Sequence, residues 1–173
     1  RSRKTFRRFP KIYASDADKV KKGYQAGLFA ERDIKKGEVV FTVQGVEVVS
    51  FVPKNSHEAL HWFPHSLGIE PYTWINPSKA EPLRYINHSC NPNVGIKDAV
   101  KIVALRNIKK GEHVTLDYSI TEVDPRFGMK CICDESNCRK IIKAIDSIPQ
   151  KQFKKYEGFV RERFIRYRQK GLP

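Results

Sequence analysis

The chain has 173 residues, 40% of them hydrophobic and 30% charged, with a formal net charge of +14. That length suits one domain with a sizeable core, or one domain with a short appendage. No apolar run approaches the ~20 residues a membrane span needs, and the opening "RSRKTFRRFP" lacks the apolar centre of a signal peptide, so an intracellular chain that does not enter a membrane is expected.

Basic residues collect at the two ends, in 1–11 and 139–170. Such ends suit nucleic acid, a nucleosome or another polyanion as well as they suit plain solvation. After the basic segment 1–10, short runs rich in β-branched and aromatic residues predict strands: "KIYA", "VVFTV", "VEVVS", "YTWI", "KIVAL" and "HVTLDY". Gly, Pro, Asn and Lys-Lys-Gly turns separate them, which argues for a mostly β domain. Within 52–70 a short helix is expected at 58–62. His57, His61 and His65 there are spaced by four, but Pro64 breaks the helix that would align them, so they are read as ordinary residues. Trp62 and Trp74 read as core, and His113 as an exposed strand residue. "RDIKKGEVV" at 32–40 returns as "RNIKKGEHV" at 106–114, a strand–turn–strand device used twice. From about Ile148 the apolar period becomes helical: Phe153, Tyr156, Phe159, Val160, Phe164 and Tyr167 recur every three or four residues. One amphipathic helix with a basic outer face is predicted over 142–173, docked on the domain.

Two segments carry chemistry. "RYINHSCNPN" at 84–93 packs His, Cys and three Asn into one bend. "CICDESNC" places Cys131, Cys133 and Cys138 as C-x-C-x4-C. Neighbours at i and i+2 are poorly placed for a disulfide, whereas a tetrahedral zinc ion takes four such ligands. Cys90 is the preferred fourth ligand of one structural zinc, with His88 as the competitor. Asn91 and Asn93 are expected to satisfy turn backbone.

"RYINHSCNPN", then "GEHVTLDY", then "CICDESNCR" resembles, in order and spacing, the SET-domain protein lysine methyltransferases that carry a post-SET zinc segment. "AGLFAERDIKKGEVV" resembles their N-terminal strand pair and "PYTWIN" their central cofactor strand, so the likeness spans about 11–141. It implies a fold of small curled sheets with a pseudoknot, in which the "LDY" segment threads the bend. The SET domain would be 11–120 and the post-SET zinc segment 121–141. The resemblance further implies transfer of a methyl group from S-adenosylmethionine to a lysine of a protein, a histone tail first, in the nucleus if the source is eukaryotic and otherwise in the cytoplasm or a host cell. Asn87 and His88 match the cofactor-binding pair, Arg84 precedes them, Tyr72 matches an aromatic that packs on the cofactor, and Gln25 and Ala26 fall in its G-x-G loop. Tyr118 matches the catalytic tyrosine.

The chain departs from the family at four places. The loop reads Gln25-Ala26-Gly27, Y-x-G reads Val43-Gln44-Gly45, G-N reads Ala80-Glu81, and Leu116 stands in the substrate channel where an aromatic sets methylation degree. The first two motivate an alternative, a catalytically weak SET-like module that binds chromatin or another protein. A zinc-ribbon nucleic-acid binder would explain the cysteines and the charge but not "NHSCNPN" or "LDY".

Overall fold

The computed structural model describes residues 3–16, 26–50, 65–78 and 80–170. The expected helix at 58–62, with His57, His61 and Trp62, and Gln25 lie outside them. Strand β1 (Arg3–Thr5) pairs antiparallel with β2 (Ile12–Asp16), and β2 with β3 (Ala26–Ala30). The basic N-terminal segment therefore extends the sheet, and Phe6 in it is buried. β3, "AGLFA", is buried over most of its length, as a continuous small and apolar run should be in a central strand. The same sheet continues through β11 (His113–Leu116), β9 (Val94–Lys97) and β10 (Lys101–Ala104) to β4 (Val39–Thr42), and β8 (Asn87–His88) also pairs with β11. A second sheet has the order β5 (Gly45–Ser50), β7 (Thr73–Pro77), β6 (Leu67–Glu70). The ladder of β12 (Met129–Lys130) and β13 (Ile141–Ile142) brackets the cysteine segment. The mostly β expectation holds, with short strands in open sheets that lack the expected curl.

The repeated Lys-Lys-Gly turns prove to be partners. Ile34 and Ile108 form a reciprocal bridge. Asp33 Oδ1 accepts the Lys110 N–H and Asn107 Oδ1 accepts the Lys36 N–H, each at 2.9 Å. Gly37 and Gly111 both sit at φ 81°, where a side chain is strained. Each copy caps the turn of the other.

The C-terminal segment corrects the expectation of one helix. A short helix (Gln150–Phe153) runs into a 3-10 turn ending at Tyr156, Gly158 reverses the chain at φ 77°, and a second helix spans Glu162–Lys170. The reason is a competing pairing: the Ile96 N–H donates to the Phe159 carbonyl at 2.8 Å, so 157–160 leaves the helix to lie along β9. The apolar residues still face inward, with Phe153, Tyr156, Val160 and Phe164 buried. Part of the basic outer face makes contacts as well, although most of its Lys and Arg stay exposed. Arg161 and Arg163 pair with Glu70 of β6, and Arg168 donates to the Ile145 and Ile148 carbonyls.

A Cβ on Gly95 would lie 2.7 Å from the Phe159 Cβ. Gly95→Ala should therefore cost about 1–3 kcal/mol, the usual range for overpacking. Urea unfolding of the variant checks this, and an unchanged midpoint would count against the close packing of β9 on the C-terminal segment.

Candidate active site and metal cluster

The bend begins with a 3-10 turn (Pro82–Tyr85) that contains Arg84. β8 then runs parallel to β11, with Asn87 opposite Thr115 and His88 opposite Leu116. Leu116 is also opposite Val94 of β9, again parallel. The chain from His88 to Val94 thus crosses over β11, which is the threading the sequence suggested. The crossing is bonded along its length: the Ser89 N–H donates to the Leu116 carbonyl at 3.0 Å and the Asn93 N–H to the Thr115 carbonyl at 3.2 Å. Asn93 does more than satisfy its own turn. Its Oδ1 accepts the Thr115 N–H at 2.9 Å and its Nδ2 donates to the His113 carbonyl at 2.8 Å. A short amide side chain can supply both donor and acceptor to a strand edge, and a buried strand needs both.

Of the expected cofactor residues, Ala26, Asn87 and His88 come together: Asn87 Nδ2 donates to the Ala26 carbonyl at 2.8 Å. His113, expected to be exposed, is half-buried beside them, 3.3 Å from Asn87 Nδ2 and stacked on Phe29. Arg84 stands near His65, whose pKa is lowered by burial and then by the charge of Arg84. Tyr72 lies in the β6–β7 turn at φ 56°, hydrogen-bonded through its side chain to Tyr167 of the C-terminal helix.

Tyr118 opens the 3-10 turn that follows β11 (Tyr118–Thr121). Its hydroxyl donates to the Ile86 carbonyl at 2.7 Å, and its N–H donates to His88 Nδ1 at 3.2 Å. Burial pushes the His88 pKa down to about 4, so the imidazole is neutral near pH 7 despite Asp117 Oδ1 at 3.6 Å. The rings of His88 and Tyr118 meet edge to face at 5.3 Å. A cavity of ≈ 210 Å³ on the Tyr118 side is walled by Leu116, Ile86, Trp74, Leu67 and Glu122. A cavity of ≈ 220 Å³ on the His88 side is more polar, with Asn93, His113, Thr115, Arg106 and Glu135 in its wall. Leu116 and Tyr118, two residues apart and so on one face of the chain, share the first cavity. Val43 is buried in the core and is not among the described residues of either wall.

The cysteines converge. The ligand atoms of His88, Cys90, Cys131 and Cys133 all lie within 4.8 Å of one another, with Cys90 and Cys131 Sγ 3.8 Å apart. Cys138 is outside that tightest set but hydrogen-bonds to both Cys131 and Cys133. Arg139 N–H points at Cys90 Sγ and Lys140 N–H at Cys138 Sγ, each at 3.4 Å. Burial pushes the Cys90 thiol up to about 11.

The fully buried Asp117 escaped the sequence reading. Arg139 grips both its oxygens, at 2.7 and 2.6 Å, Tyr156 donates to Oδ2 at 2.9 Å, and Gln152 bridges Asp117 to the Cys90 carbonyl. Tyr156 was visible only as part of an apolar stripe, and no pattern marks Gln152.

A β domain built on a threaded strand, with a cavity on each side of a His–Tyr contact, defines the class. The SET-domain profile matches residues 25–119, more than half of the chain, and the chain belongs to the SET-domain family. It is 32% identical over 136 residues to an H3 lysine-36 specific histone-lysine N-methyltransferase of Candida albicans, covering 70% of this chain and 15% of the relative. It is also 32% identical over 127 residues to human histone-lysine N-methyltransferase 2D, covering 66% of this chain and 2% of the relative. The chain thus spans a small part of the length of these relatives. Among solved structures, the methyltransferase domain of human SETMAR shares the fold, with a TM-score of 0.53 at 21% identity over 70% of this chain and 55% of that one. KRYPTONITE also does, with a TM-score of 0.51 at 24% identity over 70% of this chain and 27% of that one.

Removing one partner from a buried ion pair leaves an uncompensated charge, which typically costs about 3–5 kcal/mol. Arg139→Met should lose about that much stability, whereas Tyr156→Phe, which removes the hydroxyl's bonds to Asp117 and from Gln152, should lose about 2 kcal/mol. Chemical denaturation of both variants checks the ranking. Equal losses would mean that Asp117 is not held chiefly by Arg139.

Proposed function

We propose that the chain transfers a methyl group from S-adenosylmethionine to the side-chain amine of a protein lysine, a histone being the first candidate. One observation carries the reading: Tyr118, held on the Ile86 carbonyl, stands in the wall of a mainly apolar cavity, and its ring meets that of His88, which lines the neighbouring polar cavity. The names of the relatives, histone-lysine N-methyltransferases, support the substrate class.

The polar cavity beside His88 offers carboxylates, a guanidinium and amides, a donor and acceptor set that fits a nucleoside joined to an amino acid. Bound there, S-adenosylmethionine would supply a methyl group already activated for transfer. Ala26, the middle residue of the loop, enters β3 with its carbonyl turned to Asn87, and Gly27 keeps the second glycine of the motif. What the chain adds is orientation. The proton of the Tyr118 hydroxyl is committed to Ile86, so its oxygen presents lone pairs to an incoming amine N–H. It therefore orients the amine rather than removing its proton. Leu116, with no hydroxyl, leaves the amine free to turn, which favours transfer beyond the first methyl. Tyr118→Phe should lower turnover about a hundredfold, the scale of a misoriented reactant, and leave cofactor affinity nearly unchanged. Turnover on histones together with binding of labelled S-adenosylmethionine decides it. A parent chain that binds no cofactor would instead favour a module that only holds chromatin, and a nuclear site goes with the histone reading.

One zinc ion held by Cys90, Cys131, Cys133 and Cys138 belongs to the same proposal. His88 Nδ1 accepts a backbone N–H, which leaves its proton on Nε2, 3.3 Å from Cys90 Sγ. The ring then donates to a sulfur rather than ligating metal. The inward-pointing backbone N–H groups of Arg139 and Lys140 suit thiolates, and a divalent cation overcomes the burial that raises the Cys90 thiol. Cys90→Ser should release the metal and loosen 131–142. Metal analysis of the purified variant tests this, and a full zinc complement in it would remove Cys90 from the site.

A further inference from the structure

The cavity of Tyr118 holds one group that this mechanism leaves without a task. Glu122 shares the wall with Tyr118 and Leu116 and is only 8% exposed. Its Oε1 accepts the N–H groups of Val123 and Asp124, both at 2.8 Å, which fixes the carboxyl just past the turn that begins at Tyr118. Its acidic neighbour Asp124 is paired with Arg126 at 2.8 Å. Among the described residues no Lys or Arg lines the cavity or pairs with Glu122. A buried carboxylate without a cation is costly. Burial, with some help from the charge of Asp124, pushes its pKa up to about 7. The other polar or titratable groups near it are few. His65 lies at the rim of the same cavity, its pKa lowered by burial and by the charge of Arg84. Tyr72, hydrogen-bonded to Tyr167, feels the charges of Glu122, Asp124 and Arg126. Tyr118 is held on Ile86.

We propose that Glu122 is the anionic anchor of the substrate cavity, drawing in a lysine ammonium and taking up the proton that the amine must shed before it can be methylated. The proposal rests on the methyl-transfer reading for its second half only. In that half one N–H bond of the ammonium breaks, an O–H bond forms on the Glu122 carboxylate, and the electron pair stays on nitrogen. The proton then passes to water at the exposed rim beside His65. A lysine in solution has a pKa of ~10.4 and is almost wholly charged at pH 7, so a cavity that only desolvates the amine must wait for a rare neutral form. A carboxylate titrating near 7 accepts that proton and returns it at the same pH.

Two measurements test this. In the first, the Glu122 carboxyl resonance of the ¹³C-labelled chain is titrated with and without butylammonium chloride, the lysine side chain alone. A midpoint near 7 that falls by about one unit with the amine is expected, since an opposite charge favours ionisation, and butanol should leave it unchanged. An ordinary carboxylate midpoint that ignores butylammonium overturns the anchor. In the second, kcat/KM is followed against pH. The parent should fall about tenfold per unit below pH 7 and level off above it, whereas Glu122→Gln, which keeps an oxygen for Val123 and Asp124, should keep rising towards the lysine pKa. A Glu122→Gln profile identical to the parent's overturns the proton step. The first measurement needs no methyl donor. Amine binding at Glu122 in a chain that methylates nothing would sink the methyl-transfer reading and leave the anchor standing.

Discussion

The architecture depends on a single buried carboxylate. Asp117 is wholly enclosed, and its oxygens are taken by Arg139, Tyr156, Gln152 and the N–H of Ser119. Those donors come from the cysteine segment, the C-terminal segment and the turn of Tyr118. Charges leave water readily only when every lone pair is met, and here the donors that meet them are the parts of the chain that must converge on the site. Asp117 sits between Leu116 and Tyr118, so the same bonds that neutralise it also aim those two side chains.

From that point the two halves of the site follow. The bend of 84–93 reaches β11 from both edges, and Asn93 supplies the backbone of β11 with what a regular strand would have given it. His88 is buried beneath the crossing and makes three contacts with two neighbours: the N–H and the ring of Tyr118, and the sulfur of Cys90. Metal cluster and polar cavity therefore share His88, and its contact with the Tyr118 ring joins them to the apolar cavity.

The strands were legible because their alternation and turn residues act locally, and the cavity pair Leu116 and Tyr118 because a spacing of two keeps a face. The cysteine cluster was legible because few other arrangements suit that spacing. What escaped depended on distant partners. The single helix over 142–173 is interrupted because β9 offers Phe159 a better hydrogen bond than the helix does, and local periodicity carries no trace of β9. The hydrogen bond between Tyr72 and Tyr167, far along the chain, could not be read from either residue's neighbours. The echo of the Lys-Lys-Gly turns was visible, but that each copy caps the other could not be read from two similar strings. Asp117 and Glu122 looked like ordinary acids in a polar run, since burial is invisible until the chain closes over them.

The crossing of the bend over β11 has a dynamic consequence. A strand at a sheet edge can peel away one bond at a time. β11 has neighbours on both edges near Leu116, and the segment between those neighbours passes over it, so it can leave only by sliding lengthwise with its bonds broken together. Opening of this centre is then tied to loss of the whole fold. The amide protons of Ser89, Asn93 and Thr115 should exchange with solvent only through global unfolding, while those of the β5–β7–β6 sheet are free to open on their own. A rigid axle between two cavities thus stands beside a wall that can breathe, and the wall can open without disturbing the groups fixed on β11.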